Sequence, residues 1–208
     1  MLEALLDLPP GSAPTAIAAV CHPHPLFGGS MHNKVVHTLA RATVALGCAT
    51  LRFNFRGTGR SEGAHDGGVG ETGDALAAVA HLRQRWPGLP LLLAGFSFGG
   101  AVAIRAAAAA DPRWLVTVAP AIDRVDVAGV VPVNCPWLFV VGEADDVVDP
   151  AGVRRWAAAH APAADVVGLP GVGHFFHGSL PALRTAVENW AHAAKKSPAT
   201  GAGLLSGR

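Results

Sequence analysis

Between Trp86 and Ile104 the chain runs for 19 residues without a charged side chain, and the way that stretch folds constrains everything around it. Its length is close to what a bilayer span needs. Its interior argues otherwise, because Pro87, Gly88 and Pro90 break the front and Gly95-Phe96-Ser97-Phe98-Gly99-Gly100 breaks the middle. The stretch reads as a buried strand over Leu89–Gly95, a sharp turn, and a helix over Phe98–Ala110. A serine in such a G-x-S-x-G turn is held in a strained backbone conformation, and the flanking glycines remove Cβ atoms where strand and helix come close. Its hydroxyl stands at the edge of the sheet, with a helix N-terminus aimed at any anion that forms there. Ser97 is therefore a candidate nucleophile, against the plainer reading of a small-residue turn needed only for packing.

The rest of the chain repeats the same alternation. Apolar runs of strand length lie at Glu3–Leu8, Ala16–His22, Cys48–Phe55, Trp114–Ala119, Trp137–Gly142 and Ala164–Leu169. Helical stretches lie at about Asn33–Leu46, Gly70–Gln84, Ala151–His160 and Leu180–Ala194. Several strands are continuously apolar, as in Leu138-Phe139-Val140-Val141, which suits a parallel sheet covered on both faces. The expected fold is α/β: a doubly wound, mostly parallel sheet of about seven strands with helices on both faces. At 208 residues one domain is expected, residues 1–194, followed by a flexible tail at 195–208 that opens on Lys195-Lys196-Ser197-Pro198.

Charge and cysteine usage narrow the function. Sixteen Lys and Arg against fifteen Asp and Glu leave a net charge of +1, with no footprint for nucleic acid and no polybasic membrane patch. Three cysteines, Cys21, Cys48 and Cys135, lack any CxxC spacing, so a reducing, cytoplasmic setting is expected. Glu3 and Asp7 stand where a signal peptide would carry a basic flank. His22 and His24 are interrupted by prolines and joined by no H-E-x-x-H, so they read as loop residues and no metal is expected. Arg56-Gly57-Thr58-Gly59-Arg60-Ser61 lacks the glycine register of a phosphate cradle, so no nucleotide or other cofactor is expected.

A serine hydroxyl needs a positioned base, and in a strand-turn-helix setting the partners follow in the order Ser, acid, His. After the Trp137–Gly142 strand comes Glu143-Ala144-Asp145-Asp146-Val147-Val148-Asp149, and after the Ala164–Leu169 strand comes Pro170-Gly171-Val172-Gly173-His174-Phe175-Phe176-His177. Ser97, Asp145 and His174 satisfy that order, each at the C-terminal end of a predicted strand. Asp146 and Asp149 compete as the acid, and His177 competes as the base.

These segments, with Cys21-His22-Pro23-His24-Pro25-Leu26-Phe27-Gly28-Gly29 and Phe53-Asn54-Phe55-Arg56-Gly57-Thr58-Gly59, resemble the α/β-hydrolase superfamily. The likeness is to its small, lidless bacterial serine hydrolases, the predicted esterases of the dienelactone-hydrolase-like group, and covers roughly residues 3–194. It implies Ser97 as nucleophile, His174 as base and Asp145 as its orienter. It also implies an oxyanion hole from the Phe98 N–H and one N–H of the His24–Gly28 loop. Pro25 has none to give, which leaves Leu26 first and Phe27 second. Phe27, Phe175 and Phe176 are expected to line the mouth as an apolar wall. Larger relatives insert a lid after the strand that follows the nucleophile helix. Here the gap Pro120–Pro136 is 17 residues, little more than a crossover uses, with room for a short helix near Asp123–Val127. The implied activity is cleavage of small soluble carboxylic esters. Thioesterase, peptidase or acyltransferase chemistry on the same triad stays open, as does a non-catalytic binding role.

Overall fold

The computed structural model describes residues 1–127 and 133–196. The expected alternation is observed. Strands β1 (Ala4–Asp7), β2 (Ala16–Cys21), β3 (Cys48–Phe53), β4 (Leu91–Phe96), β5 (Trp114–Val118), β6 (Trp137–Gly142) and β7 (Asp165–Leu169) form one sheet. Helices α1 (Lys34–Ala45), α2 (Val69–Arg85), α3 (Phe98–Ala110), α4 (Pro150–His160) and α5 (Leu180–Lys196) connect and cover it. The spatial order is β1-β3-β2-β4-β5-β6-β7, with β1 antiparallel to β3 and all other pairs parallel.

Continuous apolar sequence and burial go together strand by strand. Every residue of β2 to β6 is buried, whereas the edge strands β1 and β7 are partly exposed. One core layer lies under α1 and α5, the other under α2, α3 and α4. Helix α1 starts where the Asn33 carboxamide accepts the N–H groups of Val35 and Val36, at 2.8 and 3.4 Å. It then buries Val35, Val36, Leu39, Ala40, Ala42 and Thr43. Helix α3 is buried nearly all round, and its alanines let it lie against the sheet beside α2 without displacing either.

From β2 the chain moves outward to β3 and then returns to the other side of β2 as β4, so the loops leaving β2 and β4 diverge. A crevice opens at such a switch point, at the carboxyl ends of the strands. The registers Cys21↔Gly95, Gly95↔Thr117, Val118↔Val140 and Gly142↔Leu169 bring the ends of β2, β4, β5, β6 and β7 to that same edge.

Arg56 donates twice to the Asp74 carboxylate, at 2.8 and 3.1 Å, and ties the turn after β3 to α2. The segment Asp123–Val127 holds no helix: Arg124 and Val125 both donate to Ala121 O at 3.2 Å, which makes a single turn. Of the expected tail, Lys195 and Lys196 complete α5, and residues 197–208 lie outside the described residues, as do residues 128–132 of the β5–β6 connection. No helix among the described residues is long and apolar enough to cross a membrane.

Candidate active site

Strand β4 ends and α3 begins with one residue between them, Ser97, at φ 54° and ψ −119°. A non-glycine residue with positive φ costs roughly 1–3 kcal/mol, so the surroundings must hold it. They do: Ser97 N–H donates to Val118 O at 2.9 Å, and Ser97 O accepts from the N–H groups of Gly100, Ala101 and Ala121. A Cβ on Gly95 would strike the main chain of Gly99, and one on Gly99 would strike the carbonyls of Cys21 and His22. Both glycines are there for close approach.

Around that elbow the structure brings three loops together. Ser97 Oγ lies 3.0 Å from His174 Nε2, and His174 Nδ1 lies 2.8 Å from Asp145 Oδ2. A carboxylate only accepts, so the His174 proton sits on Nδ1. That leaves the Nε2 lone pair to accept from the Ser97 hydroxyl. Asp145 Oδ1 accepts the N–H groups of Val147 and Val148, both at 2.8 Å, which locks the carboxylate plane. The side chains of His174 and Asp145 are 4% and 1% exposed. Burial pushes the Asp145 carboxyl upward, but the hydrogen bond from His174 and those from Val148 and Val147 outweigh it and hold its pKa below the ordinary value.

The competing residues lie elsewhere. Asp146 is exposed to solvent. Asp149 caps α4, accepting from Ala151 and Gly152 N–H at 2.9 Å each. His177 is exposed and stacks on Phe175, with ring centroids 5.8 Å apart.

Two expectations need correction. Leu26 N–H is already engaged, donating to His24 Nδ1 at 3.2 Å, and the Leu26 side chain is 70% exposed outside the cleft. Residues Pro25–Phe27 form one 3-10 turn, and Phe27 N–H is used within it, donating to His24 O at 3.1 Å. The N–H of that loop without a partner among the described residues belongs to His24, and His24 lines the cleft with Ser97. The sequence carried a signal for this, because Pro23-His24-Pro25 has its one backbone donor at His24 and the second proline holds that residue extended. The Phe98 N–H, first in α3, is likewise without an intrahelical acceptor.

The second correction concerns Phe176. It is fully buried, packed edge-on against Phe96 at 6.3 Å beneath His174, and so is part of the core. Its φ of 53° turns the side chain inward while Phe175 points out. Phe175 and Phe27 line a cleft of about 360 Å³ that also holds Ser97, Phe98, Arg124 and Val147.

His22 is buried beneath the same loop. Its Nε2 accepts Phe55 N–H at 2.9 Å, so Nδ1 carries the proton and donates to Pro23 O at 2.6 Å. Burial lowers its pKa to about 4 despite the Pro23 bond and the Glu71 charge. Beside it, the His24 ring packs against Phe27, His65 and Phe98 at 4.8–4.9 Å. His65 Nδ1 approaches the buried Glu71 carboxylate at 2.7 Å, at an angle too bent for a hydrogen bond. Among the described residues no group of three His, Cys, Asp or Glu is placed to hold a metal ion.

Comparison with known proteins adds a family. Residues 13–133 match the Hydrolase_4 family model, described as serine aminopeptidase, S33. An α/β serine hydrolase without a lid from Xanthomonas campestris is 42% identical, with 95% of this chain and 91% of that one aligned at a TM-score of 0.88. An α/β serine hydrolase homologue from Coxiella burnetii is 39% identical over 90% of each chain, at a TM-score of 0.87. An uncharacterized protein of Rickettsia prowazekii is 36% identical over 143 residues, 66% of this chain and 60% of its own length. The chain spans about three fifths of the length of the curated relatives it matches.

Proposed function

Because this chain belongs to the α/β serine hydrolases, and to their lidless members, we propose that it cleaves small soluble carboxylic esters through Ser97, His174 and Asp145. The observation that carries the reading is the continuous chain from Asp145 Oδ2 through His174 to Ser97 Oγ, with hydrogen-bond distances of 2.8 and 3.0 Å. Ser97 Oγ attacks the ester carbonyl while its proton passes to His174 Nε2. Asp145 stabilises the imidazolium and does not itself take the proton. The carbonyl oxygen becomes an oxyanion, held by the N–H groups of Phe98 and His24. Collapse expels the alcohol, which takes the proton back from His174 and leaves an acyl-Ser97 ester. A water molecule, deprotonated by the same imidazole, then releases the acid and restores the serine.

The family description raises an aminopeptidase as the alternative. Such an enzyme needs an anion to hold the substrate's α-ammonium group, and no Asp or Glu lines the cleft among the described residues. Arg124 there would repel it. An idle binding protein has no use for a strained Ser97 aimed at an imidazole, and that strain favours catalysis. A fluorophosphonate probe should label the wild type and fail to label Ser97→Ala. A panel of esters, thioesters and aminoacyl anilides should then show turnover of esters above the others. Failure of labelling, or a clear preference for the anilides, would remove the esterase reading.

A further inference from the structure

We propose that Arg124 makes this cleft selective for esters that carry a second, ionised carboxyl group; the inference rests on the hydrolase reading above and names its substrate class. Arg124 sits on the turn after β5, and that turn hangs on the nucleophile itself, through Ala121 N–H donating to Ser97 O at 3.0 Å. Its other end is held too: Arg124 Nη2 donates to Val147 O at 2.7 Å, in the loop that presents Asp145. The residue is thus tied to two of the three loops that carry the triad, its turn to the Ser97 elbow and its guanidinium to the Asp145 loop.

Among the described residues no carboxylate lies closer to that guanidinium than 3.9 Å. Arg52, Arg56, Arg60 and Arg155 each hold a carboxylate at 2.9, 2.8, 3.0 and 3.1 Å. The carboxylate within ion-pair range of Arg124 is that of neighbouring Asp123, 3.9 Å from Nε, with both side chains more than half exposed. A guanidinium has five N–H donors in a planar fork, and the Val147 bond uses one. What remains matches a carboxylate in shape and charge.

The rest of the cleft agrees. Its lining residues include no acid among those described, and Phe27, Phe98 and Phe175 supply apolar wall for the body of a substrate. His24, on the oxyanion side, is held below the ordinary histidine pKa by burial, then by His65 and Arg124, against the opposing pull of Glu71. The shift favours its neutral form, which leaves Arg124 as the fixed charge among the described lining residues. A neutral fatty ester would satisfy the walls and leave the fork unused. An ester with a free carboxylate satisfies both.

The test uses two matched pairs: monoethyl adipate against ethyl hexanoate, with the charge in the acyl half, and 4-acetoxybenzoate against 4-acetoxybenzamide, with the charge in the alcohol half. Wild type should favour the anionic member of at least one pair by about tenfold in kcat/KM at low salt. That ratio should shrink toward one as salt rises from about 0.1 M to 1 M and the screening length falls from about 10 Å to about 3 Å. Arg124→Gln should collapse the ratio, chiefly through a higher KM for the anion, Arg124→Glu should invert it, and Arg124→Lys should retain part of it. The proposal is overturned if wild type shows no anionic preference in either pair, or if Arg124→Gln leaves the ratio where it was. The salt series needs no mutation, so a misfolded variant cannot shield the proposal. Fluorophosphonate labelling of Ser97 separates the two levels. A labelled enzyme without anionic preference defeats the role of Arg124 alone, whereas an enzyme that neither labels nor turns over any ester defeats the hydrolase reading and this proposal with it.

Discussion

At Ser97 a single residue carries positive φ, the turn between strand and helix, and the proposed nucleophile. Residues that act as one chemical unit fail together. Ser97→Ala and His174→Ala should each cost about 10⁵–10⁶ in kcat with little change in melting temperature. Asp145→Asn keeps an oxygen for the Val147 and Val148 N–H groups but loses the charge opposite His174, and should cost about 10⁴. Asp146→Asn, exposed, should stay within about twofold, and a larger loss there than at Asp145 would overturn the assignment of the acid. His22 gives a second test at this scale, in stability. Its native pKa near 4 lies below the 6.5 of an unperturbed histidine, so between those values the unfolded chain binds a proton that the folded one excludes. The stabilisation is complete above about pH 6.5 and is lost as pH falls through 4, a change of about 3 kcal/mol. Urea midpoints taken from pH 7 to 4 should drop accordingly, and His22→Gln should flatten that slope.

Elements meet the site through their ends, and two substitutions separate architecture from chemistry. Helix α4 starts at Asp149, whose carboxylate takes two backbone N–H groups and also Arg155 at 3.1 Å. Asp149→Ala should cost about 1 kcal/mol in unfolding free energy while ester turnover is kept. A collapse of turnover with unchanged stability would mean that Asp149 serves the histidine. Helix α3 approaches β2 where Gly99 has no side chain, against the main-chain carbonyls of Cys21 and His22. Gly99→Ala must push α3 away from backbone that cannot yield, at about 1–3 kcal/mol or more. The same shift moves the Phe98 N–H and Ser97, so chemical denaturation and acylation rate should suffer together.

For the whole molecule the deciding feature is the short connection between β5 and β6. Ala121–Val127 is occupied by one turn and its surroundings, and among the described residues Arg124 and Phe27 stand exposed at the rim of the cleft. Rates on p-nitrophenyl acetate, butyrate, octanoate and palmitate should fall with chain length and show no jump when an emulsion forms. A jump at the solubility limit would reveal a mobile cover. Exhaustive EDTA treatment should leave activity intact, since the proposed steps use only Ser, His, Asp and backbone N–H groups. Activity lost on chelation and restored by zinc or manganese would oppose that mechanism.

What the sequence by itself determined here are the features set by local chemistry. Continuous apolar runs between turn residues mark β2 to β6 to within a residue or two, because a doubly covered strand is almost wholly apolar; the one charge in them, Arg52 of β3, is buried against Asp7 at 2.9 Å. Gly95-x-Ser97-x-Gly99 marks the elbow, because close backbone approach forbids a Cβ. The order Ser97, Asp145, His174 placed each side chain at a strand end, and the parallel topology then carries those ends to one edge. What tertiary structure decided are choices between neighbours that local chemistry cannot separate. Phe175 and Phe176 are the same residue type, and a positive φ at 176 sends one into the core and leaves the other at the mouth. Asp145 and Asp149 are both loop carboxylates, and the start of α4 takes the second as its cap. The loop N–H left for the proposed oxyanion hole is that of His24 and not Leu26, because the later N–H groups are consumed in and around a 3-10 turn, and a hydrogen bond between neighbours is settled by dihedral angles that composition does not encode. Arg124 carries no signal in the sequence, since an arginine in a loop acquires meaning only when the fold sets it in the cleft of Ser97, where among the described residues no carboxylate lies closer than 3.9 Å.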